Sequence, residues 1–322
     1  MINPVKLSII IPHYNNPSLL QTLLTTIMND SNGDLEVIIV DDYSDKIYEE
    51  KLIEVINGFD SENIFLYSNT QSKSAGSCRN IGLNKSRGQW ILFADSDDYF
   101  LPNMYKTVSE YFAKNVDIVY FPPTSIYLDT GEMAIRHKKN ETLVMNYLDS
   151  ADRKNELFLR TKFVEPWSKL YRRKFIIENN LQFDMTPISN DVYFSVTSGL
   201  LAKDFLVSDK QIYCVTKYSG SITTIISKER YQIRADVYIK QVSFIRNQLP
   251  KSEFKMLGLD GKTWIVGSIL NKFGMLYTIR LLMKFKKNKI KLFHRNNLRL
   301  DKLINYLRFR KVEKKYSIIK DK

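Results

Sequence analysis

The chain has 322 residues, 44% hydrophobic and 26% charged, an ordinary globular composition that suits one large domain with an appendage, or two domains. Two cysteines, Cys78 and Cys214, exclude a disulfide framework and a cysteine-built zinc site, and His13, His137 and His294 show no metal-ligand spacing. The formal charge of +13 is uneven: Lys251 to Lys322 holds 20 Lys and Arg against 5 Asp and Glu, and the rest is nearly neutral, so a cleft lined for nucleic acid is not expected.

The opening MINPVKLSIII has no long apolar core behind a basic start, so no signal peptide is expected and a reducing cytoplasm is the default. Leu7–Ile11 is a β-branched run ending at Pro12, the pattern of a buried parallel strand. Asn16-Pro17 then supplies an N-cap with proline at the first helical position, and Leu19, Leu20, Leu23, Leu24 and Ile27 fall on one helical face. Glu36–Val40 is a second strand running into Asp41-Asp42. A polar helical stretch extends to about Asn57, and Ile64–Tyr67 is a third strand.

Ser74–Lys85 reads as a helix behind a polar loop, and Trp90–Ala94 as a strand running into Asp95-Ser96-Asp97-Asp98. Pro102 opens a helix through Met104, Val108 and Tyr111, and Asp117–Phe121 is a further strand. This alternation predicts an α/β fold with a mostly parallel sheet flanked by helices. Beyond Lys251 the pattern changes to apolar-basic stretches. None is long and uncharged enough to span a bilayer; they predict a basic, mainly helical C-terminal region over 251–322.

Ligands of open α/β sheets bind at the carboxyl ends of the strands. Tyr14-Asn15, Asp41-Asp42 and Asp95–Asp98 all fall at such ends. Each cluster alone suits a turn or helix cap; three on one rim point to a site. Asp95 and Asp97, two apart, put both carboxylates on one side of an extended backbone, suited to Mg²⁺ or Mn²⁺ bound alongside a diphosphate. Neither a P-loop nor a G-x-G-x-x-G fingerprint is present, which disfavours ATP- and NAD-dependent enzymes of those types.

Ser8–Asn15, Val40–Asp45, the stretch Ser74-Ala75-Gly76-Ser77-Cys78-Arg79-Asn80-Ile81-Gly82, Phe93–Tyr99 and Trp167–Arg173 together resemble family 2 glycosyltransferases of the GT-A fold, of the bacterial capsule and exopolysaccharide type. Cys78 stands where that family usually has alanine. The resemblance is continuous to about residue 103 and patchy to about 225. It implies a catalytic domain over 1–250, with a nucleotide-binding half (1–120) and an acceptor half (121–250).

By resemblance, Tyr14 packs on the nucleotide base, Asp42 hydrogen-bonds it, and Pro12, Arg79, Asp95 and Ser96 complete the donor site. Asp97, with Asp95, holds the cation. Arg79 either contacts the diphosphate or makes a structural ion pair. Trp167 and Lys169 are candidates for phosphate or acceptor contacts; Lys169, Arg172 and Arg173 could all bind phosphate, but a solvated basic face is the expected reading for at least two of the three. Asp191 matches the family's general base, although Asn190 replaces the usual glutamate before it; a helix cap is its other role, and Asp184 is the next candidate base. Loss of that glutamate's charge should tend to lower the Asp191 pKa.

No Q-x-x-R-W element of processive synthases appears, so one sugar per encounter is implied. The implied enzyme is inverting and metal-dependent. It takes a nucleotide-diphosphate sugar, with a UDP-sugar expected, to a saccharide acceptor linked to polyprenyl diphosphate, in cell-surface polysaccharide assembly. A protein-bound glycan as acceptor and a non-catalytic nucleotide- or nucleic-acid-binding protein are the alternatives. The interleaved basic and apolar residues from Lys284 onward fit either a helical subdomain with a solvated face or attachment to an anionic membrane surface. In the second case Phe285, Ile290, Leu292 and Phe293 supply the insertion, and the protein lies peripherally on the inner face of the cell membrane.

Overall fold

The structure, a computed structural model, describes residues 4–30, 33–217 and 227–292. In chain order its first elements are β1 (Leu7–His13), α1 (Pro17–Met28), β2 (Leu35–Asp41), α2 (Lys46–Asn57), β3 (Ile64–Ser68), α3 (Ala75–Lys85), β4 (Trp90–Phe93), β5 (Tyr99–Phe100) and α4 (Met104–Ser109). Next come β6 (Ile118–Tyr120), β7 (Thr124–Tyr127), α5 (Lys138–Asp149), α6 (Arg153–Lys162), β8 (Lys169–Arg172), α7 (Arg173–Glu178) and α8 (Val192–Leu201). The described chain ends with β9 (Phe205–Val207), β10 (Tyr213–Lys217), α9 (Lys228–Gln248), α10 (Lys251–Met256), α11 (Lys262–Leu270) and α12 (Met275–Lys287). The chain divides into two compact units, 1–253 and 254 onward.

The first unit is built on a seven-stranded sheet in the order β3-β2-β1-β4-β8-β6-β9, with a three-stranded sheet, β5-β10-β7, beside it. β1, β2, β3 and β4 are parallel neighbours, whereas β8 runs antiparallel between β4 and β6. Every residue of β1 and β2 is buried, which is why both read as nearly unbroken apolar runs. Their two polar members near the amino ends are satisfied locally. Glu36 accepts from Ser8 Oγ at 2.6 Å, from the Arg87 amide at 2.6 Å and from Arg87 Nε at 2.8 Å, so the turn before β4 locks onto the sheet.

Local signals set the helices. Asn16 caps α1 by accepting the Leu19 amide, with Pro17 at the first position where no amide is needed. Ser74 caps α3 through the Ser77 amide at 3.2 Å. The helix expected from Pro102 to Tyr111 is shorter, Met104–Ser109, and ends in turns that seat Tyr111 edge-on to Phe121, ring centroids 5.6 Å apart.

In the second unit α11 and α12 pack together, and Ser268 Oγ lies 3.0 Å from Thr278 Oγ1. The Gly261 amide donates to the Lys291 carbonyl at 2.8 Å. Phe285 and Ile290, which the membrane reading assigns to lipid insertion, are both buried: Phe285 lies on the inward side of α12 with Leu281, and Ile290 follows the helix end, its amide donating to the Phe285 carbonyl at 3.0 Å. Phe293 and the tail after it lie outside the described residues.

Gly82 is where α3 comes closest to the sheet: a Cβ there would lie 2.4 Å from Ile10 Cγ2 in β1. Gly82→Ala is therefore expected to lower stability by about 1–3 kcal/mol through overpacking. Urea unfolding checks this; an unchanged midpoint and slope would show that α3 has room to move outward.

Candidate active site

The carboxyl ends of β1, β2 and β4 share one rim, and their loops are laced together. His13 Nε2 accepts the Asn16 amide, so Nδ1 carries the proton and donates to Asp41 Oδ1 at 2.9 Å. Burial alone would raise the Asp41 pKa, but the bonds from His13 and Ser44 outweigh it and hold the carboxyl below its ordinary range. Asn15 and Asp45 exchange two hydrogen bonds of 2.8 Å across the gap. Asn15 (φ 51°) and Tyr43 (φ 60°) both adopt left-handed backbone at this rim. Such strain is costly for tyrosine and persists where the surroundings over-determine it.

Tyr14 stands 42% exposed on this rim, with the Lys73 ammonium 3.8 Å from its ring centroid. Asp42 is buried; its Oδ1 accepts from Asn69 Nδ2 at 2.6 Å and from the Ser74 amide at 3.1 Å, fixing the loop that leads into α3. Pro12 is buried within β1. Ser96 is partly exposed between the two aspartates.

The first turns of α3 carry the joint between the strand-end rim and the 183–191 segment. A Cβ at Gly76 would lie 2.1 Å from the Asp184 carbonyl oxygen, so only glycine lets the 184–191 loop come this close. Asn80 grips the same segment, donating to the Phe183 carbonyl at 3.0 Å and accepting its amide at 2.8 Å. Arg79, buried beneath the rim, donates to Asp95 Oδ1 at 2.5 Å and to Asn190 Oδ1 at 3.0 Å. Its Nε is buried without a hydrogen-bond partner among the described residues.

Asp95, Asp97 and Asp98 offer ligand atoms that all lie within 4.8 Å of one another. Burial first, then the charge of Asp95, raises the Asp97 pKa against the opposing pull of Arg136 and Arg79. Asp98 is driven well up, by burial foremost and then by Asp97 and Asp95. Asp98 is already engaged: Tyr213 Oη donates to its Oδ2 at 2.9 Å and the Thr216 amide to its Oδ1 at 2.7 Å. That leaves Asp97 and the second oxygen of Asp95 as the carboxylates suited to a hard divalent cation, whose charge would relieve their crowding. The residues present fit such an ion.

Asp191 begins α8 but its side chain makes no capping hydrogen bond. Its pKa is raised to about 6, by burial first, with Arg79 opposing and Glu165 and Asp95 adding to the rise. The lowering expected from Asn190 is thus outweighed by burial, and Asn190 serves as the acceptor for Arg79. Ser189, just before this pair, is another left-handed position (φ 54°). Asp184, the alternative base, is held by the Lys240 ammonium at 2.5 Å.

Trp167 and Lys169 require a correction. Trp167 is buried and stacks on Tyr213, centroids 5.6 Å apart and planes 13° from parallel, so it supports the Asp98 anchor from below. Lys169 is only 1% exposed, which excludes the solvated face as well as phosphate contact in this arrangement. It donates to the Phe163 carbonyl at 2.6 Å, and burial lowers its pKa to about 7. Arg172 and Arg173 clamp neighbouring segments, donating to the Val116 carbonyl at 2.8 Å and to Ser86 Oγ at 3.2 Å. Glu165, whose field reaches Asp191 and Lys169, had no motif to reveal it; Asn140 Nδ2 donates to its Oε2 at 2.8 Å.

The raised Asp191 pKa sets a stability window. Its value of about 6 in the folded chain exceeds the ordinary 3.8, so the folded state binds the proton more tightly. The contribution is fully present below the ordinary value and lost as pH rises through the folded one. Asp191→Asn lacks that loss and is expected to exceed the parent in stability at pH 7 by up to about 3 kcal/mol, with little advantage at pH 4. Denaturation at both pH values checks it; a gain of equal size at both would assign the effect to packing.

Residues 8–179 match the family model described as glycosyl transferase family 2. The glycosyltransferase GlyA of Streptococcus pneumoniae is 22% identical over 251 residues, covering 75% of this chain but 35% of its own length. Residues 1–349 of TarS from S. aureus, solved with UDP-GlcNAc, superpose with a TM-score of 0.68 at 21% identity, over 88% of this chain and 81% of that one. The mannosyltransferase PcManGT from Pyrobaculum calidifontis, solved with GDP-Man and Mn²⁺, gives 0.54 at 11% identity, over 88% and 75%. With a family match across more than half its length, and the α/β architecture of these structures, the chain belongs to glycosyl transferase family 2 and has the GT-A fold.

Proposed function

We propose that this protein transfers one sugar at a time, with inversion, from a UDP-sugar to a hydroxyl of a saccharide acceptor. The observation that carries this is the placement of an uncapped Asp191, its pKa near 6, across Arg79 and Asn190 from the Asp95–Asp97 pair. The UDP moiety is supported by the likeness to TarS, which was solved with UDP-GlcNAc.

In the proposed step the Asp191 carboxylate accepts the proton of the acceptor hydroxyl while that oxygen forms its bond to the anomeric carbon. The bond from that carbon to the diphosphate oxygen breaks, and the nucleoside diphosphate leaves with the electron pair. Tyr14 and Asp42 frame the nucleotide, with Ser96 at its edge and Pro12, buried in β1, two residues before Tyr14. A divalent cation held by Asp97 and Asp95, Mn²⁺ or Mg²⁺, would supply positive charge to the diphosphate. Arg79 orients Asp95 and the loop that carries the base. A base with a pKa near 6 is ionised at neutral pH yet retains proton affinity, as Brønsted behaviour favours.

The acceptor we infer is a lipid-diphosphate-linked saccharide in cell-surface polysaccharide assembly. The basic C-terminal region would hold the enzyme peripherally at the inner face of the membrane where such acceptors lie. Among the described residues no helix is long and apolar enough to cross a membrane.

Two substitutions separate donor from base. Asp97→Asn is expected to weaken cation-dependent UDP-sugar binding and nearly abolish transfer with the fold retained; calorimetry showing unchanged cation-dependent binding would remove Asp97 from the cation site. Asp191→Asn should hold donor affinity within a few-fold and cut transfer by roughly 10²–10⁴. Transfer at near the parental rate would place the base elsewhere.

A further inference from the structure

Helix α12 has two apolar faces and only one is covered. Thr278, Leu281 and Phe285 are buried along one side. On the opposite side Met275 is 80% exposed, Leu276 62%, Ile279 43% and Met283 57%, at spacings that form a single stripe. Before the Asn271–Gly274 turn, at the end of α11, Ile269 is also 61% and Leu270 42% exposed. Exposed cations border the stripe: Lys272 in the turn, and Arg280, Lys286 and Lys287 along the helix. No acidic residue occurs between Asp260 and Asp301.

We propose that this stripe and the adjoining turn insert into the headgroup boundary of an anionic lipid surface, while Lys272, Arg280, Lys286 and Lys287 reach up to the phosphates. Charge complementarity selects this occupant. A nucleic acid would meet the cations but leave the apolar stripe in water. A second copy of the chain would cover the stripe but set like charges against each other. An anionic lipid surface takes both, since apolar side chains sink below the headgroups and long cations snorkel to them. The inserting face is therefore the one opposite Phe285 and Ile290. The proposal rests on the glycosyltransferase function only for its purpose, the delivery of the enzyme to a lipid-linked acceptor; binding to lipid stands or falls without turnover.

The test uses the full chain and vesicles of phosphatidylcholine alone or mixed with phosphatidylglycerol. Co-sedimentation is expected to favour the mixed vesicles at least tenfold, with part of the binding surviving salt high enough to screen charge beyond about 3 Å. The combined variant Leu276→Gln, Ile279→Gln, Met283→Gln should lose the salt-resistant part. The combined variant Arg280→Gln, Lys286→Gln, Lys287→Gln should weaken the preference for anionic vesicles several-fold. All these side chains are solvent-facing, so thermal unfolding and UDP-sugar hydrolysis without vesicles should match the parent. Parental binding by the apolar variant, equal affinity for both vesicle types, or no binding at all would overturn the proposal. Self-association without lipid that the apolar variant abolishes would overturn it in favour of a second copy. Absence of hydrolysis in the parent would count against the proposed function and leave lipid binding as a separate result.

Discussion

The candidate site depends on one buried guanidinium. Arg79 has one arm on Asp95, at the end of β4, and another on Asn190, beside Asp191. A buried charge is tolerated only when paired and hydrogen-bonded, so Asp95 and Asn190 must both stay where Arg79 can reach them. Breaking a buried pair typically costs about 3–5 kcal/mol, and the partly exposed Asp95 puts this one toward the low end. The two bonds therefore tie the end of β4 to the loop that carries Asp191. Gly76 and Asn80 serve the same joint: one lets the 184–191 loop approach α3, and the other holds it by the Phe183 backbone.

Around that joint the protein concentrates features that oppose stability. Asp97, Asp98 and Asp191 all carry pKa values raised by burial, and Tyr43 and Ser189 hold left-handed backbone on the rim. The wholly buried β1 and β2 offset this with apolar burial, at roughly 1.5–3 kcal/mol for each large aliphatic side chain before chain entropy is counted. Crowded carboxylates at the carboxyl ends of well-packed strands suit electrostatic work, because rigid strands keep charges where water would otherwise disperse them.

The parallel half of the sheet was legible from apolar runs, caps and the punctuation between them, since those signals are local. Asn16-Pro17 and Ser74 act as the helix starts their types predict. Strand β10 and the antiparallel strand β8 were not, because their places depend on partners far along the chain. The same reason hid the anchoring of Asp98 by Tyr213 and Thr216 and the field of Glu165 at Asp191. For Trp167 and Lys169 the resemblance implied ligand contact, whereas their burial makes them supports of the surrounding structure, a matter of packing that the motif does not carry. On α12, hydrophobicity located the helix but not which of its two apolar faces is covered.

The most direct test of the account is the dependence of kcat on pH for sugar transfer at saturating UDP-sugar, measured for the parent and for Glu165→Gln. Asp191 as base predicts a rate that rises through a single ionisation near pH 6 and then levels, since its carboxylate must be free to take the proton. Glu165→Gln removes a charge that raises the Asp191 pKa, so the same limb should move to lower pH with its shape kept. A rate that does not change with pH between 5 and 8, or a limb that stays in place in Glu165→Gln, would contradict the assignment of Asp191 to the reaction.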